Sequence, residues 1–168
     1  MDICLVYYEK YKGTVTAEDH YIPWAISLLE EGCMSDALNM LAGLQKPYNL
    51  FEVEEYVKRT ISDLTLFVPT YEQAVAYKTF HHLVSMLKEP NNVLAHAKIL
   101  GDMAIEEDEA EYLDDWLAIG YAVDEFEDTL HPSKEERNEL YKEISKQANR
   151  TRTELFTDSS DLLSYKRY

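Results

Sequence analysis

The sequence predicts an all-α fold, and we expect a single domain of about seven helices over residues 1–168. Apolar residues recur every three or four positions along most of the chain, which is the spacing of one helix face. Glycine and proline, five of each, fall between these periodic runs, where helices end. No run of alternating apolar and polar residues indicates a strand. Short connections favour antiparallel helix pairs, which are compatible with short solenoid-like stacking.

Capping residues set the helix boundaries in the first third of the chain. Thr16 or Asp19 is placed to cap the segment AEDHYIPWAISLLEEG, and Gly32 stands where a helix C-terminus favours a positive φ. Ser35 is placed to cap the short helix DALNMLAGL. Asn49 stands in the same way before LFEVEEYVKRTISDLTL. The first 66 residues therefore predict three helices.

The third of these helices and the one that follows it are longer, and each carries one apolar stripe. In the helix after Asn49 the stripe steps by four, four and three residues: Val53, Val57, Ile61 and Leu64. Pro69 and Thr70 open the next helix, whose stripe has similar spacing: Ala76, Phe80, Leu83 and Leu87. Pro90 ends that helix and begins the segment VLAHAKILGDMA. Each stripe predicts the face that packs on the core.

The segment Ala104–Pro132, AIEEDEAEYLDDWLAIGYAVDEFEDTLHP, is predicted to form one long amphipathic helix. Six large apolar residues in it step by four and three: Tyr112, Trp116, Ile119, Val123, Phe126 and Leu130. Burying each contributes about 1.5–3 kcal/mol, which outweighs the few tenths of a kcal/mol that each like-charge pair costs. Ser133 and Glu136 then form an S-x-x-E capping box before the last helix. Residues 157–168 are expected to be a frayed or loosely docked tail.

The formal net charge is −16, and it is unevenly distributed. Residues 99–133 hold 12 acidic residues and no lysine or arginine, whereas residues 134–168 hold 7 acidic and 8 basic residues. Nucleic acids and anionic membranes are bound through clustered lysine and arginine, so both are disfavoured as partners. The sequence favours another protein, of basic character, as the partner, and it leaves the oligomeric state open.

Composition favours a cytoplasmic protein without a cofactor. The two cysteines, Cys4 and Cys33, suit a reducing compartment, no signal peptide is recognised, and no apolar run reaches the roughly 20 residues that span a bilayer. No P-loop, dinucleotide-binding, nucleophile-elbow or C-x-x-C motif occurs, so we expect no catalytic residues. The adjacent His81 and His82 point about 100° apart on a helix and cannot chelate one ion together, and His82 is expected to be solvated.

One stretch resembles a known group of sequences. It reads LLEEGCMSDALNMLAGLQKPYNLFEVEEYV, with the elements L-x-x-G, S-x-x-L-x-x-LAGL and P-x-N-x-FEVE-x-Y. This pattern, over roughly residues 24–60, is similar to that of an uncharacterised group of small all-helical bacterial proteins. The resemblance implies a helical fold and a bacterial origin, and it carries no activity or functional residue.

The acidic segment is interpreted as a surface that binds a basic protein. Carboxylates beside an aromatic side chain favour fast, salt-sensitive capture of a cationic surface. The predicted contact residues are Glu107, Asp108, Glu111, Asp114, Asp115, Tyr121, Glu125 and Asp128. In its most concrete form, the hypothesis is an immunity or antitoxin-type inhibitor of a basic bacterial toxin.

Two alternatives remain open. Glu106-x-x-Glu109 followed by Glu125-x-x-Asp128 resembles the carboxylate spacing of all-α nucleotide pyrophosphohydrolases, of the MazG and dimeric dUTPase type, in which carboxylates hold Mg²⁺. That spacing needs two antiparallel helices, because on one helix the two halves of the motif lie about 27 Å apart. The other alternative is a helical scaffold in which the acidity has no special role.

The last helix offers a further account of the acidity. The turn before it is short, so the helix is expected to fold back beside the acidic one. Arg150 and Arg152 could then reach Glu111–Asp115, and Lys134 and Arg137 could approach the acids at the other end. Such pairing, together with solvation, would neutralise part of the charge within the chain.

Overall fold

The computed structural model describes residues 1–107 and 109–158, without the side chains of residues 157 and 158. These residues form eight α-helices and no strand, which confirms the all-α prediction. Contacts between Cα atoms divide the chain into two compact units, Met1–Ala74 and Val75–Tyr168. Residues 159–168, most of the predicted frayed tail, lie outside the described residues.

The first unit contains four complete helices and the beginning of a fifth. They are α1 (Ile3–Tyr11), α2 (Ile22–Glu30), α3 (Asp36–Ala42), α4 (Leu50–Asp63) and the first turn of α5 (Tyr71–Lys88). The predicted caps are confirmed: the side chains of Thr16, Ser35 and Asn49 each accept a backbone N–H two or three residues further on, at 3.0–3.1 Å. Gly32 has the predicted positive φ, +86°.

The core of the first unit is formed by the apolar sides of α1 to α4 and of a π-helical turn, Ala17–Tyr21. Its largest members are almost inaccessible to solvent: Val6, Tyr21, Trp24, Leu38, Leu41, Val53 and Val57. The buried phenol of Tyr21 donates a hydrogen bond to Glu54 at 3.2 Å, and Lys10 donates to the same oxygen at 3.1 Å. The buried phenol of Tyr21 is therefore hydrogen-bonded to a charged partner at the edge of the core.

The second unit continues α5 and adds three helices and two short 3₁₀ turns. The helices are α6 (Val93–Glu106), α7 (Asp114–Asp128) and α8 (Lys134–Asp158), and the turns are Pro90–Asn92 and Glu111–Leu113. Within the described residues, no helix is both long and apolar enough to cross a membrane.

The prediction of one helix through the acidic segment is wrong. α6 ends at Glu106, Glu107 leaves the helical conformation with φ −115° and ψ 59°, and α7 begins only at Asp114. The helix dipole gives a reason for the break. Carboxylates are unfavourable at the negative C-terminal end of α6, whereas Asp114 and Asp115 lie in the first turn of α7, at its positive end.

The predicted apolar stripe of this segment is confirmed in its centre and wrong at its end. Trp116, Ile119 and Val123 are buried, whereas Leu130 is 91% exposed. Leu130 is exposed because α7 ends at Asp128, so Leu130 no longer follows the helical period. The predicted stripe of α5 is also wrong at Leu87, which is 72% exposed in the last turn of that helix.

Two glycines allow α6 and α7 to approach each other closely. A Cβ atom on Gly101 would lie 2.7 Å from the Cα atom of Gly120, and one on Gly120 would lie 3.0 Å from the Cα atom of Gly101. One turn away, Lys98 forms an ion pair with Asp124, which fixes an antiparallel register. The buried residues of α6 and α7 are thus placed against each other.

α8 runs antiparallel to α7 after a short turn. The predicted capping box is confirmed, because Ser133 accepts the Glu136 N–H at 3.1 Å and the Glu136 carboxylate accepts the Ser133 N–H at 2.7 Å. At the far end of the pair, Arg150 forms an ion pair with Asp115. That contact confirms the expectation that the last helix folds back and neutralises part of the acidic segment.

A buried threonine of α8 makes three hydrogen bonds, one within α8, one to α7 and one to the 3₁₀ turn before α7. The hydroxyl of Thr151 accepts the Trp116 indole N–H at 2.9 Å and the Gln147 amide at 3.2 Å, and it donates to the Tyr112 carbonyl at 3.4 Å. Two bonds accepted and one donated use the full capacity of a hydroxyl group. This contact fixes how α8 lies along α7.

Candidate functional site

An open groove of about 760 Å³ runs between α7 and α8. Five carboxylates line it, and two cations: Asp115, Glu125, Glu136, Glu139 and Glu143, with Lys146 and Arg150. We call this feature the acidic groove. Its excess of negative charge makes it a place on the described surface that suits a cationic ligand.

Three of the five carboxylates are engaged within the chain. Asp115 pairs with Arg150, and Glu143 lies 3.4 Å from Lys146. Glu136 caps α8, and hydrogen bonds from the Ser133 backbone and hydroxyl lower its pKa. The negative charge that these contacts do not offset lies on the other two carboxylates of the groove, Glu125 and Glu139.

Glu125 and Glu139 carry that remaining charge. Within the part of the chain that the structure describes, neither has a cationic partner, and both are exposed. In the antiparallel register set by Asp115 and Arg150, both lie about 15 Å further along the groove, Glu125 on α7 and Glu139 on α8. They therefore flank the groove at the same level, where a cation would relieve their mutual repulsion.

The floor of the acidic groove is apolar and partly formed by small side chains. Ala118 and Ala122 are exposed on α7, with Ile119 buried beneath them and Phe126 half-buried. Leu140 contributes from α8. A ligand can therefore approach the backbone of α7 closely and exchange water for apolar contact while its charges meet the walls.

Of the predicted contact residues, six are placed on the exposed surface of the second unit: Glu111, Asp114, Asp115, Tyr121, Glu125 and Asp128. Only Asp115 and Glu125 line the acidic groove. A separate line along α7 is formed by three residues spaced seven positions apart: Asp114, Tyr121 and Asp128. Tyr121 on this line is 61% exposed.

The other two predicted contact residues are Glu107 and Asp108. Glu107 is only 5% exposed, so the expectation that its carboxylate lies on the acidic surface is wrong. Its burial follows from its place at the end of α6, where the chain turns back towards α7. Asp108 lies outside the described residues.

The basic residues of α8 cover the acids less than expected. Arg150 reaches Asp115, but Arg137 lies over the ring of Phe126, at 5.6 Å from its centroid. Asp124 is paired instead with Lys98 of α6, a contact that the sequence did not suggest. The neutralisation within the chain is therefore partial.

The carboxylates of the alternative metal site are not brought together. Glu106 and Glu109 stand at the turn after α6, whereas Glu125 and Asp128 belong to the opposite end of α7. From the contact of Gly101 with Gly120, Glu106 and Glu125 extend in opposite directions and lie about 15 Å apart along the helices. Among the described residues, no group of three or more His, Cys, Asp or Glu side chains is arranged to hold a metal ion.

The expectation that His82 is solvated is wrong. His82 of α5 is 7% exposed, and its Nδ1 atom lies 3.0 Å from Nδ1 of His96 on α6. One of these two ring nitrogens donates the hydrogen bond and the other accepts it. Burial, and then the positive charges of Lys78, His81 and His96, lower the pKa of His82 to about 3.

His82 is expected to make the fold sensitive to acid. The unfolded chain binds a proton at His82 near its ordinary pKa of 6.5, whereas the folded chain does so only near 3. The unfolded state therefore holds more protons in that window, and the free energy of unfolding falls as the pH is lowered from 6.5 towards 3. Urea denaturation from pH 7 to pH 4 measures this slope.

The control for this prediction is His82→Phe, which keeps a buried ring without a titrating nitrogen. Its free energy of unfolding should fall less steeply below pH 6.5 than that of the wild type, because the variant lacks the buried imidazole of His82. Exposed His131→Phe should leave the slope of the wild type nearly unchanged. Parallel slopes for the wild type and His82→Phe contradict the prediction.

Sequence reasoning missed the contribution of α8 to the groove. One side of that helix carries three carboxylates that line the groove: Glu136, Glu139 and Glu143. They were missed because α8 has more lysine and arginine than the preceding segment and was interpreted only as a source of cations. Their steps of three and four residues indicated a shared face of α8.

No protein family, curated protein or solved structure matches this chain.

Proposed function

We propose that the protein binds another protein of basic character through the acidic groove. A concrete form is an immunity or antitoxin-type inhibitor in the cytoplasm of a bacterium, which captures a basic toxin. The observation that carries the proposal is the pair of exposed carboxylates, Glu125 and Glu139, across a groove with an apolar floor. Neither is neutralised within the described residues.

Charge and apolar surface have different roles in such capture. The net charge of −16 attracts a cationic partner over distances of about one Debye length and raises the association rate. The floor formed by Ala118, Ala122 and Phe126 supplies apolar contact after docking, which slows dissociation. The exposed Tyr121 on the neighbouring line of α7 offers an aromatic contact at the rim.

Nucleic acids and anionic membranes do not fit this surface. Both present closely spaced negative charges, which carboxylates repel, and their recognition depends on clustered lysine and arginine. A protein surface that is rich in lysine and arginine is the complementary partner.

The double substitution Glu125→Lys with Glu139→Lys should abolish capture of the partner. In an affinity pull-down from cells that produce the chain, the wild type should retain a basic protein that elutes as the salt concentration is raised. The charge-reversed variant should bind the partner at least about tenfold more weakly, because like charges then face each other. Quantitative mass spectrometry of the eluates measures the difference.

The matched control is Glu30→Lys with Glu31→Lys, two exposed residues at the end of α2. It changes the net charge by the same amount in the other unit, so it should slow association slightly and leave the partner bound. Equal loss of the partner in both variants would show non-specific charge attraction. A partner that stays bound to the Glu125 and Glu139 variant contradicts the proposed function.

A further inference from the structure

The residues that line the acidic groove repeat with the period of a packed helix. On α7 they advance by four, three and four residues: Asp115, Ile119, Ala122 and Phe126. On α8 they advance by four, three, four and three: Glu136, Leu140, Glu143, Gln147 and Arg150. Two antiparallel helices with this spacing leave a seam that the side chains of a third helix can fill.

The length of the seam sets the size of the occupant. Asp115 and Phe126 are eleven positions apart on α7, which corresponds to about 16 Å, or three turns of helix. Ala118 and Ala122 lie about one helical turn apart on the floor of the groove. Because their side chains are small, large side chains of the occupant can enter between α7 and α8. An extended strand has a period of two residues and cannot match these steps on both walls.

The charges define the rest of the occupant. At one end of the groove, Asp115 forms an ion pair with Arg150. Towards the other end, Glu125 and Glu139 lie on opposite walls, and among the described residues neither forms an ion pair. An arginine or lysine on the occupant at that level would lie between the two carboxylates. The occupant thus combines an apolar stripe at the floor with basic residues on its flanks, concentrated near one end.

We propose that the acidic groove binds an amphipathic α-helix of three to four turns, with apolar residues spaced by three and four and with basic flanks, presented by another protein. This inference rests on the proposed function, because it specifies the form of the basic partner. The bound helix completes a three-helix arrangement with α7 and α8, and its basic end lies between Glu125 and Glu139.

Two synthetic peptides of identical composition test the inference. In the first, leucines follow the three-and-four spacing on one helix face and arginines occupy the flanks; in the second, the same residues are rearranged so that the leucines fall on all faces. Fluorescence anisotropy with the full chain should show at least tenfold tighter binding of the first peptide. Circular dichroism of that complex should show a gain of helix over the separate components.

A groove-filling variant supplies the matched control. Ala122→Phe adds a ring to the floor without changing charge and should weaken binding of the first peptide at least tenfold. Ala95→Phe places the same ring on an exposed position of α6 and should leave binding unchanged. Circular dichroism of both free variants checks that they are folded as the wild type is.

Four results would overturn the inference. Equal affinity for the two peptides, or indifference to Ala122→Phe, means that charge alone attracts the partner, and the proposed function then stands without a helical occupant. Binding of the first peptide only after removal of residues 159–168 identifies the chain's own C-terminal segment as the occupant. Absence of binding to either peptide rejects the helical occupant, and the pull-down with Glu125→Lys and Glu139→Lys decides the proposed function independently.

Discussion

Replacing Trp116 by alanine should lower the free energy of unfolding by about 3–5 kcal/mol, the largest loss expected from a single substitution in the second unit. The side chain is completely buried, and its indole N–H donates to Thr151 at 2.9 Å. Its removal leaves a large cavity between α7 and α8 and frees one acceptor site of a buried hydroxyl. Urea denaturation followed by circular dichroism measures the loss.

Two further variants separate packing from hydrogen bonding. Thr151→Val keeps the shape but leaves the Trp116 indole and the Gln147 amide without their acceptor, which should cost about 1–3 kcal/mol. Tyr121→Ala removes an exposed aromatic side chain from the same helix and should change the stability by less than about 0.5 kcal/mol. A Trp116→Ala variant as stable as Tyr121→Ala contradicts the described packing.

Gly101→Ala should destabilise the protein by about 1–3 kcal/mol, although alanine normally stabilises a helix interior relative to glycine. The added Cβ would lie 2.7 Å from the Cα atom of Gly120, so α6 and α7 must move apart. That movement also strains the ion pair between Lys98 and Asp124. Thermal denaturation of the variant should show a lower midpoint temperature than that of the wild type.

The exposed Ala95 of α6 gives the reference for helix propensity alone. Ala95→Gly should cost about 0.5–1 kcal/mol, the ordinary penalty of glycine in a helix. If Gly101→Ala raises stability by a similar amount, propensity dominates and the close approach of the two helices is wrong. Gly120→Ala should behave as Gly101→Ala does, since its Cβ would meet the same backbone at 3.0 Å.

Local chemistry explains which parts of the fold could be predicted from the sequence. Ser35, Asn49 and Ser133 cap the predicted helices because a capping side chain bonds to a backbone N–H only two or three residues away. Such a contact depends on no distant part of the chain. Trp116 and Val123 were predicted as buried for the same kind of reason, because the helical period alone determines their common face.

Contacts between distant residues explain what could not be predicted. The packing role of Gly120 depends on Gly101, which belongs to a different helix. The actual break, after Glu106, brings Lys98 beside Asp124, 26 residues further along the chain. The pairing of His82 with His96 likewise depends on how α5 lies against α6.

The candidate site was predicted on one wall only. Asp115 and Glu125 were identified on α7 from the density of acids, and both line the acidic groove. Glu139, on the opposite wall, was missed because it lies in a helix of mixed charge, where a single carboxylate gives no signal. Only the register between the helices shows that it faces Glu125.

The two tryptophans provide an optical probe of each unit. The chain has only these two, and each is about 1% exposed or less: Trp24 in the first unit and Trp116 in the second. In Trp24→Phe the tryptophan fluorescence, excited at a wavelength that tyrosine does not absorb, reports only on the second unit, and in Trp116→Phe only on the first. Comparing their denaturation midpoints, each against circular dichroism of the same variant, shows whether residues 1–168 unfold as the single cooperative domain that the sequence predicts.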